Sequence, residues 1–173
     1  WSREVMGKLD LDPSIMPPLL KSVDIVGPVT EKAAAETGLA VSTKIVAGGA
    51  DNACGSVGSG IIKAGRVMAS LGSSGVVVAQ TDQPEADPEG RIHLFNHSKP
   101  EVWYMMGVML SAGMSYSWLQ ESMYGDRLDF SELDQLAAEV EPGSEGLVFL
   151  PYLYGERTPH ADADARGVFF GIS

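Results

Sequence analysis

The stretch Val46 to Gly60, VAGGADNACGSVGSG, sets a single carboxylate, Asp51, among glycines and other small residues. Two chemistries fit that setting. An aspartate ahead of a helix that Asn52 begins caps the first turn by accepting its free N–H groups. An aspartate in a space kept open by small neighbours takes a proton from a bound hydroxyl. Further along, Gly72-Ser73-Ser74-Gly75 separates two β-rich runs, Arg66 to Leu71 and Val76 to Thr81. As a hairpin turn these residues need no other explanation. They also offer successive backbone N–H groups and two hydroxyls, and glycine lets the backbone approach a phosphate oxygen. The loop does not end in Gly-Lys-Ser/Thr before a helix, so the common P-loop is excluded. A carboxylate near a phosphate cradle is what phosphoryl transfer to an alcohol requires, one accepting the hydroxyl proton while donors and a metal ion hold the phosphates.

A third candidate is GERTPHADADARG. His160, Asp162 and Asp164 alternate as metal ligands sometimes do, but alternate loop residues facing water are the commoner arrangement, and no metal ligand is assigned. Glu156, Arg157 and Arg166 read as a polar loop held by internal pairing. His93 and His97 flank a strand candidate without an acidic partner pattern and read as structural.

These residues must be positioned by ordinary elements. Thr30 caps a helix that the alanines of TEKAAAETG extend and Gly38 ends. TKIVAGG is a short β-rich run leading to Asp51, and Asn52 to Ile62 is a small-residue helix. One helix and one strand then connect Asp51 to the Gly72 turn, a connection that can bring both to one cleft. TDQPEADPEGR is an exposed loop; RIHLFNHS and EVWYMMGVML are strands. SAGMSYSWLQESMYG is a helix with Met114, Trp118 and Met123 at near-helical spacing, and Ser131 caps the next, whose apolar stripe is Leu133, Leu136, Ala137 and Val140. EGLVFLPYLYGERTPH is a buried strand entering a polar loop, and RGVFFGIS starts another strand. Helices and strands mix throughout, so the class is α/β or α+β.

Composition narrows the function. With 45% hydrophobic and 20% charged residues the chain is an ordinary globular one. A formal net charge of −11 repels a phosphate backbone and argues against nucleic-acid binding, while a small anion needs only local donors. Cys54 is the only cysteine, which excludes an internal disulfide and fits a reducing cytoplasm. No apolar run approaches bilayer length, so no membrane partner is expected. The WSREVM start and the GVFFGIS end, in mid-strand pattern, read as those of a fragment.

Taken in order, GGADNACGSVGSG, SLGSSG, MLSAGMSYSWL and FLPYLYGERTPHADADARGVFFG resemble the FGGY carbohydrate kinases along nearly the whole chain. The Asp-Asn-Ala element and the long GERTPH…ARGVFFG element are the specific parts of that resemblance. It implies an α/β, actin-like ATPase fold in ribonuclease H-like halves flanking a cleft. Residues 1–63 would close the N-terminal domain on the sugar side, and residues 66–173 would open the C-terminal domain on the nucleotide side. It also implies ATP-dependent phosphorylation of a ketopentose, D-xylulose being the nearest match, with ribulose, gluconate and fuculose as alternatives. A non-catalytic actin-like nucleotide-binding module is the reading from another class. By the same match Asp51 is the catalytic base, and Asp51 and Asn52 contact the sugar. Gly72, Ser73 and Ser74 hold the ATP β- and γ-phosphates, with Gly113 near the nucleotide and Mg²⁺ bridging the phosphates. Many members carry Thr where this chain has Ser73, a change that keeps the hydroxyl. The family's N-terminal Asp-Gly-Thr-type loop and its C-terminal glycine-rich adenosine loop have no counterpart here. A homodimer completes the expectation.

Overall fold

The structure is a computed structural model that describes all residues, Trp1–Ser173. In chain order the elements are α1 (Arg3–Lys8), β1 (Ile25–Pro28), α2 (Glu31–Thr37), β2 (Lys44–Val46), α3 (Asp51–Gly58), β3 (Val67–Leu71), β4 (Gly75–Thr81), β5 (His93–Asn96), β6 (Trp103–Met109), α4 (Gly113–Leu119), α5 (Phe130–Ala138), β7 (Val148–Leu150) and β8 (Val168–Phe170). A π-helical turn, Gln120–Tyr124, prolongs α4. Helix ends follow local chemistry. Thr30 accepts from Ala33 N, and Gly38 closes α2 in the left-handed conformation at φ 76°, which glycine adopts without a Cβ penalty.

A four-stranded antiparallel sheet, ordered β3-β4-β6-β5, organises the molecule. β3 and β4 form the hairpin read from the sequence, in register from Val67↔Ala79 to Leu71↔Gly75, so the turn is three residues long. Alternation along each strand divides the sheet into two faces. On one, Val78 of β4 and Tyr104, Met106 and Val108 of β6 are buried, and α3 covers them through Ala53. On the other, Leu71, Val77, Met105 and Met109 stand open. β1 pairs with β2, and β7 with β8, in separate antiparallel ribbons. Trp118 of α4 stacks on Phe149, which stacks on Phe169, with ring centroids 6.0 and 4.6 Å apart.

Several expectations change on contact with the structure. Asp51 is the first residue of α3 instead of its cap, because Ala50 takes the extended conformation ahead of the helix. The cap of α5 is Asp129, not Ser131: Asp129 accepts from Glu132 N while the Glu132 carboxylate accepts from Asp129 N, a reciprocal box that Ser131 lies inside. β7 is not a buried strand, since it has β8 on one edge and leaves Val148 and Leu150 exposed.

Candidate active site

The small residues around Asp51 have distinct uses. Gly48 sits at φ +74°, and a Cβ on Gly49 would meet the Ser98 hydroxyl, so this loop passes close against the β5–β6 turn. On α3, Ala53 and Ser56 are buried and let the helix lie close to the sheet, with Ser56 Oγ donating to Asn52 O at 2.6 Å. Gly55 and Gly58 face open space. Smallness therefore serves helix–sheet packing on one side of α3 and leaves room on the other.

Asp51 itself is exposed, and its Oδ1 accepts from Asn52 N at 2.7 Å, the one hydrogen bond its carboxylate makes. No cation pairs with it. A carboxylate with so few partners keeps the acceptor capacity that a proton-abstracting group needs. Asn52 is half-buried, and its Nδ2 donates to Met106 Sδ at 3.5 Å, which seats the start of α3 on the buried face of β6. Tyr104 lies two residues back on the same face. Burial pushes its phenol pKa up, and the Asp51 carboxylate pushes it further. Strand alternation in EVWYMMGVML gives Tyr104 its face, but nothing local in the sequence says that Asp51 stands near it.

The hairpin turn is built from both sides. Its carbonyls are occupied: Gly72 O accepts from Gly113 N at 2.9 Å, and Ser73 O accepts from Ala112 N at 3.0 Å and Met114 N at 3.1 Å. The start of α4 thus grips the turn through the N–H groups that a helix cannot satisfy internally. The approach is close enough that a Cβ on Gly113 would fall 2.6 Å from Gly72 O. In contrast, the N–H groups and hydroxyls of Ser73 and Ser74 donate to nothing in the chain. Ser73 is exposed and Ser74 half-exposed. The turn holds out donors and hides acceptors, the arrangement suited to an anion. The Gly113 amide is committed to Gly72 and so ties the start of α4 to the turn.

α3 lies on the buried face of the sheet that ends in the turn. Asn52 sits over Met106, which is opposite Val78, and from Val78 the strand reaches Gly75 three residues back, about 10 Å at ~3.3 Å per residue.

The loop candidates bond within their own loop. Asp162 Oδ1 accepts from Asp164 N and Ala165 N, and His160 Nε2 shares a hydrogen with Tyr152 OH at 3.2 Å. No three His, Cys, Asp or Glu residues gather as a metal cage. His97 is buried, with Nδ1 accepting from Lys99 N and Nε2 bonded to Ile61 O, a structural histidine as read. The expected internal pairing of Glu156 with Arg157 and Arg166 does not occur. Arg166 donates to Ala163 O and Ala165 O, while Glu156 is buried and accepts from the backbone.

Comparison with known proteins gives the family and the fold. The model of the FGGY family of carbohydrate kinases, C-terminal domain, matches residues 67–173, and that of the N-terminal domain matches residues 1–58. The xylulose kinase of Bacillus subtilis (strain 168) is 42% identical over 172 residues, covering 99% of this chain and 34% of its own length. The chain thus spans about a third of the length of the curated relatives it matches. Among solved structures, a xyloylose kinase from Brucella ovis superposes with a TM-score of 0.88 at 36% identity, over 100% of this chain and 35% of that one. Gluconate kinase from Lactobacillus acidophilus superposes with a TM-score of 0.91 at 25% identity, over 100% and 35%. The fold is the α/β, actin-like ATPase fold of these sugar kinases.

Proposed function

The chain belongs to the FGGY family of carbohydrate kinases, and from that premise we propose that the protein carrying it phosphorylates D-xylulose with ATP. The observation that carries the reading is the pairing of a nearly unbonded carboxylate, Asp51, with a turn whose four serine donors are free. In the reaction a sugar hydroxyl oxygen attacks the γ-phosphorus as the bond to the bridging β–γ oxygen breaks, giving ADP and the sugar phosphate. Asp51 accepts the hydroxyl proton and passes it to water. Asn52, adjacent on α3, holds the sugar. Ser73 and Ser74 donate to the β- and γ-phosphate oxygens as charge moves onto them, and the α4 start keeps them aimed. Mg²⁺ would arrive on the ATP phosphates and would offset their charge, with the Ser73 and Ser74 donors beside it.

The domain boundary falls between Lys63 and Arg66 in this reading, with α3 contributed by the sugar-side half. A cytoplasmic setting, which the free and exposed Cys54 fits, and a homodimer belong to the same proposal. ADP release by the complete protein across D-xylulose, ribulose, gluconate and fuculose tests it. D-xylulose should support the highest turnover per KM. A gluconate preference would favour the second reading, which rests on the equally close superposition of gluconate kinase.

A further inference from the structure

Glu156 is an anomaly on electrostatic grounds. It is 4% exposed, no cation lies within ion-pair range, and its Oε2 has no partner at all. A buried carboxylate is costly unless hydrogen-bonded, so its remaining bonds need a reason. Oε1 accepts from Arg157 N at 2.6 Å and, across 46 residues of sequence, from Leu110 N at 3.3 Å.

The place of Leu110 gives that reason. β5 pairs with β6 only as far as His93↔Met106, so the outer edge of β6 has no strand beside it from Gly107 on. The loop after β7 fills the vacancy. Thr158 N donates to Val108 O at 3.3 Å, and Thr158 Oγ1 also bonds the Val108 backbone, donating to its carbonyl at 2.7 Å. Glu156 takes the next position on that edge, Leu110, the alternate residue a β partner would engage. Its backbone is meanwhile fixed by Asp162, through Glu156 N to Asp162 O at 2.8 Å and Asp162 N to Glu156 O at 2.9 Å. Gly155 permits the turn, at φ +76° and with a would-be Cβ 2.8 Å from Ala163 O. One residue beyond Leu110, past Ser111, come Ala112, Gly113 and Met114, whose amides grip Gly72 and Ser73.

We propose that Glu156 is a positioning residue for the Gly72–Ser74 turn: its carboxylate clamps Leu110 and so holds the β6–α4 junction that aims the serine donors. The inference rests on the phosphate reading of that turn only for its kinetic consequence. Its test uses the complete protein with Glu156→Gln, which keeps an acceptor, and Glu156→Ala, which does not. Hydrogen exchange is read at segments 110–114 and 72–75, alongside KM for ATP, KM for sugar and kcat. With Ala, exchange at the bonded amides of both segments, Gly72 and Gly75 in one and Leu110 and Ala112–Met114 in the other, should rise about tenfold, the scale of one lost hydrogen bond to a charged group. KM for ATP should rise by a similar factor while KM for sugar stays within about twofold, and Gln should restore most of both. A rise in exchange with KM for ATP unchanged would uphold the clamp and remove the phosphate role of the turn. Unchanged exchange at 72–75 in Ala would overturn the clamp, as would an equal rise in both KM values. Should the Ala variant fail to fold, the Gln variant decides: a protection pattern and ATP KM like the parent's support the clamp, and a loss of protection confined to residues outside 72–75 and 110–114 contradicts it.

Discussion

At the residue scale the hairpin turn is a set of donors without acceptors. Ser73 presents an unbonded hydroxyl in an exposed turn, so Ser73→Ala should weaken ATP handling by about 1.5–3 kcal/mol, the worth of a hydrogen bond to a charged group. Ser73→Thr retains the hydroxyl and should leave both constants within about twofold. Steady-state kinetics with varied ATP separates these outcomes, and an Ala variant with normal constants would reduce the loop to a turn. Both Ser73 and Asp51 were legible in the sequence because glycine punctuation and an isolated charge are local signals. The service of Glu156 was not, since its partner Leu110 is 46 residues away and only the end of β5 makes that bond necessary. Likewise Ser131 and Asp129 both offer caps, and the choice turns on which has Glu132 at its third helical position.

At the scale of elements, α4 is the pivot. Its first residue approaches Gly72 so closely that Gly113→Ala must push the turn away, at a cost of about 1–3 kcal/mol for inserting an atom into a packed contact. Chemical denaturation should show that loss, and exchange at Ala112–Met114 should rise with it. The far side of α4 carries a pH signal. Tyr116 donates to Asp134 Oδ1 at 2.6 Å, and this hydrogen bond, then burial, then the Asp134 charge push its phenol from 10.0 up to about 12. The folded state holds this proton more tightly than the unfolded state. The stabilisation is therefore complete below pH 10 and lost as pH climbs from there to about 12. Tyr116→Phe should flatten that part of the stability–pH curve, and identical slopes in both proteins would contradict the bond. The hairpin and the β6 alternation were visible in sequence from turn residues and period. The exposure of β7 was not, because an apolar run says that a strand wants cover and not whether a neighbour supplies it.

At the scale of the whole molecule, α3 and the four-stranded sheet share one core, so the segment matched by the N-terminal family model is bound to the segment matched by the C-terminal one through Ala53. The opposite sheet face is bare. Leu71 is 85% exposed and Val67 58%, with Val77, Met105 and Met109 beside them. Contiguous apolar surface of this kind drives association. The 173-residue chain alone should therefore self-associate with rising concentration, and a Leu71→Lys, Val77→Lys double variant should sediment closer to a monomer. A parent chain that stays monomeric at high concentration would contradict the reading of that face. In the proposed reaction the Asp51 carboxylate on α3 and the serine donors in the hairpin act on the two reactants of one transfer. The most direct measurement is Asp51→Asn in the complete protein, assayed for D-xylulose-dependent ADP release and, by calorimetry, for ATP binding. The amide cannot accept the proton, so turnover should fall by about 10²–10⁴-fold while ATP affinity holds. Turnover near that of the parent would show that Asp51 merely begins a helix.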